Sequence, residues 1–188
     1  MGRIFARLMP RLRQLARSED GTATIPVLIF VPFYILFLLS SVELGMLMIR
    51  HVMLERALDL VVRDLRLGLW TPSDPANAGD ELRGRICAQV GLISDCKKTL
   101  LVELRPVSKT TWSPLSAGPT CVDRSQPVYA NPLPTFGTSN DIMLIRACAK
   151  FDPVFPTTAM GAQLPKDSTG AFALVSSTAF VNEPRPGT

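Results

Sequence analysis

The pattern of hydrophobic and polar positions begins with one long apolar run near the N-terminus. No charged residue occurs between Ile25 and Val42. At about 1.5 Å of rise per helical residue this run extends for about 27 Å, close to the roughly 30 Å hydrocarbon core of a bilayer. Pro32 lies inside the run and is expected to bend the helix locally, as membrane helices tolerate. The pattern therefore predicts one transmembrane helix.

A cleaved secretory signal peptide is the competing interpretation of the same run. Signal peptides also have a basic start, but their apolar region is usually only about 7–15 residues long and a small-x-small cleavage pattern follows it. The run here is longer, and the residues from Ser40 to Gly45 lack that pattern. The sequence therefore favours a retained membrane anchor.

Helical periodicity continues beyond the apolar run. Apolar residues recur at helical spacing on one face and charged residues occupy the other face. The apolar positions are Leu47, Leu54, Leu58, Val61 and Leu65, and the charged positions are Glu55, Arg56, Asp59, Arg63 and Arg66. We predict one continuous rod from Ala23 to Leu67, about 65 Å long, that ends at Gly68. Its apolar stripe should pack against the rest of the C-terminal part.

The remaining chain predicts one short helix and three strands. Leu82, Ile86 and Val90 share one face of a helix from Asp80 to Val90. Alternating or β-prone stretches predict the three strands. They are Thr99 to Val107, Ile142 to Phe151 and Ala171 to Asn182.

Two long connections, Ser108 to Asn140 and Asp152 to Gly170, are predicted to be loops. The elements together predict an α+β fold. In it a long membrane-spanning N-terminal helix continues into an amphipathic helix, which packs on a small antiparallel sheet. With 188 residues, the chain has room for one small domain beyond the anchor.

Charge predicts the orientation in the membrane. Much of the net charge of +4 comes from arginines that precede the apolar run, namely Arg3, Arg7, Arg11, Arg13 and Arg17. Arginines within about 15–20 residues of a span keep that flank in the cytoplasm. We predict a single-pass protein of a bacterial inner membrane with its N-terminus inside and its C-terminal domain outside. Lipid head groups account for the arginines, and no aromatic platform or motif for nucleic acid accompanies them.

The four cysteines, Cys87, Cys96, Cys121 and Cys148, all follow the span. An even number on the outer side of a membrane indicates two disulfides, and spacing favours Cys87 with Cys96 and Cys121 with Cys148. Three pairings are possible from sequence alone. Four reduced thiols are the alternative, and a zinc site is disfavoured because no Cys-x-x-Cys pair occurs.

The sequence offers no catalytic constellation. The single histidine, His51, lies on the rod, and no phosphate loop, metal pair or nucleophile elbow is present. We therefore expect no enzyme activity and no cofactor. Glu43 is the one ionisable residue at the edge of the span, and its position favours a solvated interface residue over a partner for a positive group on a neighbouring chain.

The order of residues near the N-terminus resembles that of TadE-like proteins, the minor pilins or pseudopilins of the tight-adherence (Tad) type IV pilus system. The resemblance rests on Glu19-Asp20-Gly21-Thr22-Ala23-Thr24-Ile25, an apolar run containing Pro32, then Val42-Glu43-Leu44-Gly45 and Leu54-Glu55-Arg56-Ala57. It extends from Glu19 to Gly68, with a looser likeness near the C-terminus. In that family a glycine ends a basic leader and a second glutamate followed by glycine closes the apolar helix. Gly21 and Glu43 match these two positions.

The resemblance implies a structural component of Tad pilus assembly or secretion that contacts other pilus components and a prepilin peptidase. The implied organisation is a basic leader over residues 1–21, a transmembrane helix over 22–45 and a pilin-like domain over 46–188. The chain departs from the family pattern at Pro26, where the family has glutamate. Hence the chain either keeps its leader, or is cut between Gly21 and Thr22 beside a partner that supplies the acid. A membrane-anchored periplasmic sensor or binding module is the alternative function, and an anchored enzyme is a weaker one.

Overall fold

The computed structural model describes residues 24–91, 93, 95–111, 118–125 and 134–184. Its first element is α1, a single helix of 43 residues, Thr24–Arg66, that includes Pro32. The helix ends where the sequence predicts. Gly68 has a positive φ of 67°, and the amides of Gly68 and Leu69 donate to the carbonyls of Leu65 and Asp64 at 3.1 and 2.9 Å. A left-handed glycine of this kind is a common helix terminator, because it has no Cβ to clash.

The other elements follow α1 in one short, ordered series. Two short helices come first, then a strand, and the two longer strands flank a further helix. They are α2 (Ala78–Gln89), α3 (Cys96–Thr99), β1 (Leu100–Val107), β2 (Ile142–Phe151), α4 (Ala159–Gln163) and β3 (Phe172–Val181). The predicted α+β class is confirmed, with a long N-terminal apolar helix and an antiparallel sheet.

The sheet has the order β1-β2-β3, and both pairs of strands are antiparallel. In the first pair Leu104 lies opposite Ile145, and in the second pair Met143 lies opposite Phe180. Because side chains alternate between the two faces of a strand, this register places one apolar set of β2 on a single face. That set is Met143, Ile145, Ala147, Ala149 and Phe151, all of it buried.

The core lies between this face of the sheet and the C-terminal half of α1. Six apolar residues of α1 are buried there: Leu54, Ala57, Leu58, Val61, Val62 and Leu65. Leu47 packs at the edge of the same cluster, and α2 adds Leu82 and Ile86. The predicted stripe of Leu54, Leu58, Val61 and Leu65 is thus confirmed as the surface on which the sheet packs. It joins α1 to the sheet. We call the segment 46–188 the C-terminal domain.

The segment 118–125 covers part of the opposite face of the sheet, at β2. A disulfide joins Cys121 to Cys148 on β2, Val122 is 1% exposed, and the Arg146 guanidinium donates to the carbonyl of Gly118 at 2.9 Å. The central strand β2 therefore has contacts on both faces, at the core and at Arg146 and Cys148. The bridge fastens part of the connection between β1 and β2, for which the sequence offers no helix or strand pattern.

Two short helices correct the sequence-based assignment. The sequence predicts a loop throughout Asp152 to Gly170, whereas α4 occupies Ala159–Gln163 inside it. It also predicts no helix between Val90 and Thr99, where α3 forms one turn at Cys96–Thr99. Helices this short carry too little periodicity to be recognised, and each depends on a local cap or a disulfide.

Candidate functional site: the exposed half of α1 and its junction with the C-terminal domain

The N-terminal half of α1 exposes its apolar side chains on all sides. Between Ile25 and Val42 the large apolar side chains with the greatest exposure are Phe37 at 74% and Leu28 at 70%, Leu38 is 42% exposed, and Leu39 is half-buried. The helix is long and apolar enough to cross a membrane, and no part of its most apolar window is buried. Within the described residues nothing in the chain covers this surface.

Glu43 marks the point at which the exposed half meets the C-terminal domain. Its side chain is 1% exposed, and its two carboxylate oxygens accept hydrogen bonds from the amides of Val154 at 3.1 Å and Phe155 at 2.7 Å. Sequence position favoured a solvated residue, and that expectation is wrong. The partners are backbone amides more than a hundred residues away in the chain. A buried carboxylate is tolerated only when such donors compensate for lost hydration.

The segment that receives Glu43 is a braced turn between β2 and α4, which we call the 152–158 loop (Asp152 to Thr158). The carbonyl of Phe155 accepts from the amide of Thr158 at 3.2 Å and from its hydroxyl at 2.9 Å. The Thr158 hydroxyl in turn accepts from the amide of Gly161 and caps α4. A Cβ at Gly161 would lie 2.1 Å from the Phe155 carbonyl oxygen, so only glycine fits this contact.

Two arginines hold the start of the loop. Arg50 of α1 lies 5.1 Å from the centroid of the Phe151 ring and donates to the carbonyl of Asp152 at 3.4 Å. Arg124 makes a two-point contact with the Asp152 carboxylate at 2.6 and 3.1 Å, and this hydrogen bonding raises the pKa of Arg124. The loop is thereby connected both to the helix and to the segment that covers the sheet.

Beyond the loop, an ion pair closes the turn that leads into β3. Lys150 donates to the Asp167 carboxylate at 2.6 Å, and the Thr169 hydroxyl donates to the same side chain at 2.7 Å. These hydrogen bonds, Lys150 first, hold the pKa of the Asp167 carboxyl far below its usual value. The arrangement resembles an Asx-type turn closed by an ion pair, and it stabilises the turn without forming a cleft.

The predicted disulfides are present. Cys87 bonds to Cys96 and Cys121 bonds to Cys148, which is the pairing that spacing favours.

The proposed cleavage point at Gly21 and Thr22 lies outside the described residues. His51 contacts Glu55 at 2.9 Å on an exposed turn of α1. Over the described ranges, no group of three or more His, Cys, Asp and Glu side chains could hold a metal ion.

Sequence reasoning missed the 152–158 loop as part of a site. Its residues form no periodic pattern, and the partner of Glu43 depends on tertiary contacts. The only signal was Glu43 itself, a single acid in an otherwise uncharged stretch. Such an acid requires a compensating partner somewhere in the structure.

The chain was compared with protein-family models, with curated proteins and with solved structures, and none of them matches it.

Proposed function

We propose that this chain is a membrane-anchored structural component of a Tad-type pilus assembly or secretion system, similar to TadE-like minor pilins. One observation carries the proposal. A single uninterrupted helix has an exposed apolar half and, beyond Glu43, a half whose apolar stripe packs on an antiparallel sheet. An assembly component of this kind uses the first half for the membrane and for neighbouring helices, and the second half to carry its own domain.

The orientation belongs to the same proposal. The arginines before the helix favour an N-terminus in the cytoplasm and a C-terminal domain on the far side of a bacterial inner membrane. Two disulfides within that domain agree with an oxidising compartment, since disulfides rarely persist in the cytoplasm.

An anchored sensor or binding module is the second candidate. A ligand-binding module would place convergent polar groups in a concave site of the C-terminal domain. The polar groups described above are instead engaged in closing turns: Asp167 with Lys150 and Thr169, and Asp152 with Arg124. An apolar groove does exist, but it lies on the N-terminal half of α1 and is lined by Pro26, Val27, Phe30, Val31 and Tyr34. These features support the structural proposal over the sensor.

Co-purification from native membranes tests the proposal. The tagged full chain, extracted in mild detergent, should bring down other pilus-machine components, whereas their repeated absence would favour the sensor. A matched pair of exposed positions sharpens the experiment. Val52 on α1 is 60% exposed and Leu69 just beyond the helix is 70% exposed. Val52→Asp should reduce recovery of the components if a neighbouring helix packs there, and Leu69→Asp should not.

The fate of the basic leader is a separate part of the proposal. A peptidase acting after Gly21 would leave the amine of Thr22 near hydrocarbon, and Pro26 offers no carboxylate to compensate for that charge. The chain either keeps its leader or is cut beside a partner that supplies the acid. Intact-mass measurement of the membrane-purified chain decides: a mass that begins at Thr22 shows cleavage. In that case Pro26→Glu should increase incorporation into shed pili, and unchanged incorporation would remove the argument from the missing acid.

A further inference from the structure

We infer that the 152–158 loop is a membrane-contacting element, which inserts its apolar side chains at the outer boundary between lipid head groups and acyl chains. The inference rests on the proposed membrane anchoring of α1 and adds a second contact that the C-terminal domain makes with the same bilayer.

The height of the loop along α1 is fixed by Glu43. Hydrogen bonds from the amides of Val154 and Phe155 to the Glu43 carboxylate place the loop backbone beside residue 43 of the helix. A hydrocarbon core of about 30 Å takes about 20 helical residues, and counted from Ile25 this places its outer edge near Leu44. The loop therefore lies at the level where the hydrocarbon ends.

The exposed surface of α1 beyond Glu43 indicates that the lipid extends along the helix at least as far as the loop. Glu43 is the one charged residue between Gly21 and Ile49, and the next charged side chain is Arg50. On the side of the helix away from the loop, Leu44, Met48 and Ile49 remain between 39% and 53% exposed. An apolar surface that continues past Glu43 favours lipid at that height, because in water these side chains would stay exposed.

The loop presents apolar side chains suited to that depth. Val154 is 42% exposed, Pro156 is exposed, and Pro153 and Phe155 are half-buried. Several of its polar groups are paired. The Asp152 carboxylate is paired with Arg124, the Phe155 carbonyl accepts from Thr158, and the Pro156 carbonyl accepts from Lys166 at 3.2 Å. Backbone groups paired in this way enter the interface at low cost, since unpaired ones are costly in hydrocarbon.

The same arrangement explains why Glu43 is buried. A carboxylate at the edge of the hydrocarbon is costly unless donors surround it. The loop supplies two amide donors and shields the side chain to 1% exposure. The loop thus lowers the free-energy cost of placing the Glu43 carboxylate at the boundary, and the carboxylate lowers the cost of placing the two loop amides there. The partner is the lipid interface itself, recognised by apolar contact, so neutral phosphatidylcholine should suffice.

Tryptophan quenching by brominated lipid tests the inference on the full chain in phosphatidylcholine vesicles. Trp112→Phe leaves Trp70 as the one native tryptophan. Two valines of matched exposure then receive the probe: Val154 at 42% and Val181 at 46%. Val181 lies near the far end of α1, where the amide of Glu183 donates to the carbonyl of Arg66. That end is about 35 Å from Glu43 along the helix.

We expect Val154→Trp to be quenched several-fold more than Val181→Trp by bromine placed near the head groups, and less by bromine near the chain ends. Equal quenching of the two variants would overturn the inference. So would a blue-shifted Val154→Trp that brominated lipid does not quench, because a second protein chain would then cover the loop.

Tyr34→Trp, placed inside the apolar half, separates this inference from the proposed anchoring. If bromine near the chain ends quenches Tyr34→Trp but head-group bromine leaves Val154→Trp unquenched, the anchor holds and the loop contact is wrong. If Tyr34→Trp is not quenched either, the anchoring itself fails, and the loop contact fails with it.

Discussion

The two halves of α1 belong to the same helix but have opposite relations to their surroundings. From Ile25 to Val42 apolar side chains are exposed on all sides, whereas from Leu54 to Leu65 only one stripe is apolar and that stripe is buried. An all-round apolar surface suits a solvent that is itself apolar, and a single stripe suits a helix with water on one side and a core on the other. Hydrophobicity alone therefore does not define the role of this helix; its angular distribution does.

Glu43 and the 152–158 loop lie where one pattern gives way to the other. The helix does not break at this point, and the change is made by a folded segment that packs against it. The apolar half is thus joined to the C-terminal domain by continuous helix, without a hinge. Each of the following substitutions tests one side of the comparison.

The largest effect is expected in the buried stripe. Leu58 is 1% exposed, so Leu58→Asp buries an unpaired charge, and we expect a loss of more than about 4 kcal/mol in the free energy of unfolding of the C-terminal domain. Leu60 lies two residues along the same helix and is 40% exposed. Leu60→Asp should cost less than about 1 kcal/mol. Denaturant titration in detergent, followed by tryptophan fluorescence, measures both; similar stability of Leu58→Asp and wild type would show that the stripe is not a core.

The next effect concerns the disulfides, which lie only on the packed side of the molecule. Replacing both Cys121 and Cys148 by serine opens a loop with a sequence separation of 27, against 9 for Cys87 and Cys96. Chain entropy predicts a loss of about 3.5 kcal/mol for the longer loop and about 2.6 kcal/mol for the shorter one. Denaturant midpoints give the difference. Mass spectrometry of unreduced protein with all four thiols alkylated would show that the bridges do not form.

A smaller effect is expected at the junction. Glu43→Ala leaves the amides of Val154 and Phe155 without their acceptor, at a cost of about 2–3 kcal/mol. Glu43→Gln keeps one acceptor oxygen and should lose less. Hydrogen exchange at these two amides should accelerate most in Glu43→Ala and moderately in Glu43→Gln, while exchange in the middle of β2 stays the same. Unchanged exchange at Val154 and Phe155 would disprove the coupling of helix and loop.

The smallest effect is a pH dependence on the packed side. The pKa of Asp167 is lowered in the folded chain, so its contribution is present above the unfolded pKa of about 3.9 and is lost as pH falls through the lower folded value. The partly exposed pair with Lys150 is worth at most about 1 kcal/mol. Asp167→Asn and Lys150→Gln should each flatten the loss of stability between about pH 5 and about pH 2. Acid unfolding curves identical to wild type would contradict this assignment.

Local sequence patterns were enough to predict the helices and strands that bury one apolar face. The alternation from Ile142 to Phe151 and the stripe through Leu54, Leu58 and Val61 matched the structure, because in each case burial follows the period of the backbone. The disulfide pairing also followed from spacing, since short separations close easily. These features need no information from distant parts of the chain.

The junction could not be predicted in the same way. Glu43 finds its donors at Val154 and Phe155, more than a hundred residues away, and the loop is braced by Thr158 and by the close approach of Gly161. None of these residues belongs to a periodic pattern. An acid at the end of an apolar run signals that a partner is required, but its identity depends on how the sheet is placed beside the helix.

The central claim is that the apolar half of α1 crosses a membrane and leaves the C-terminal domain on the outer side. Fusions of alkaline phosphatase, which is active only outside the cytoplasm, test it most directly. We predict an active enzyme when it is fused after Leu69 and an inactive one when it is fused at Arg17, because the arginines of the leader keep the N-terminus inside. The reverse pattern, or activity at both positions, would contradict the account.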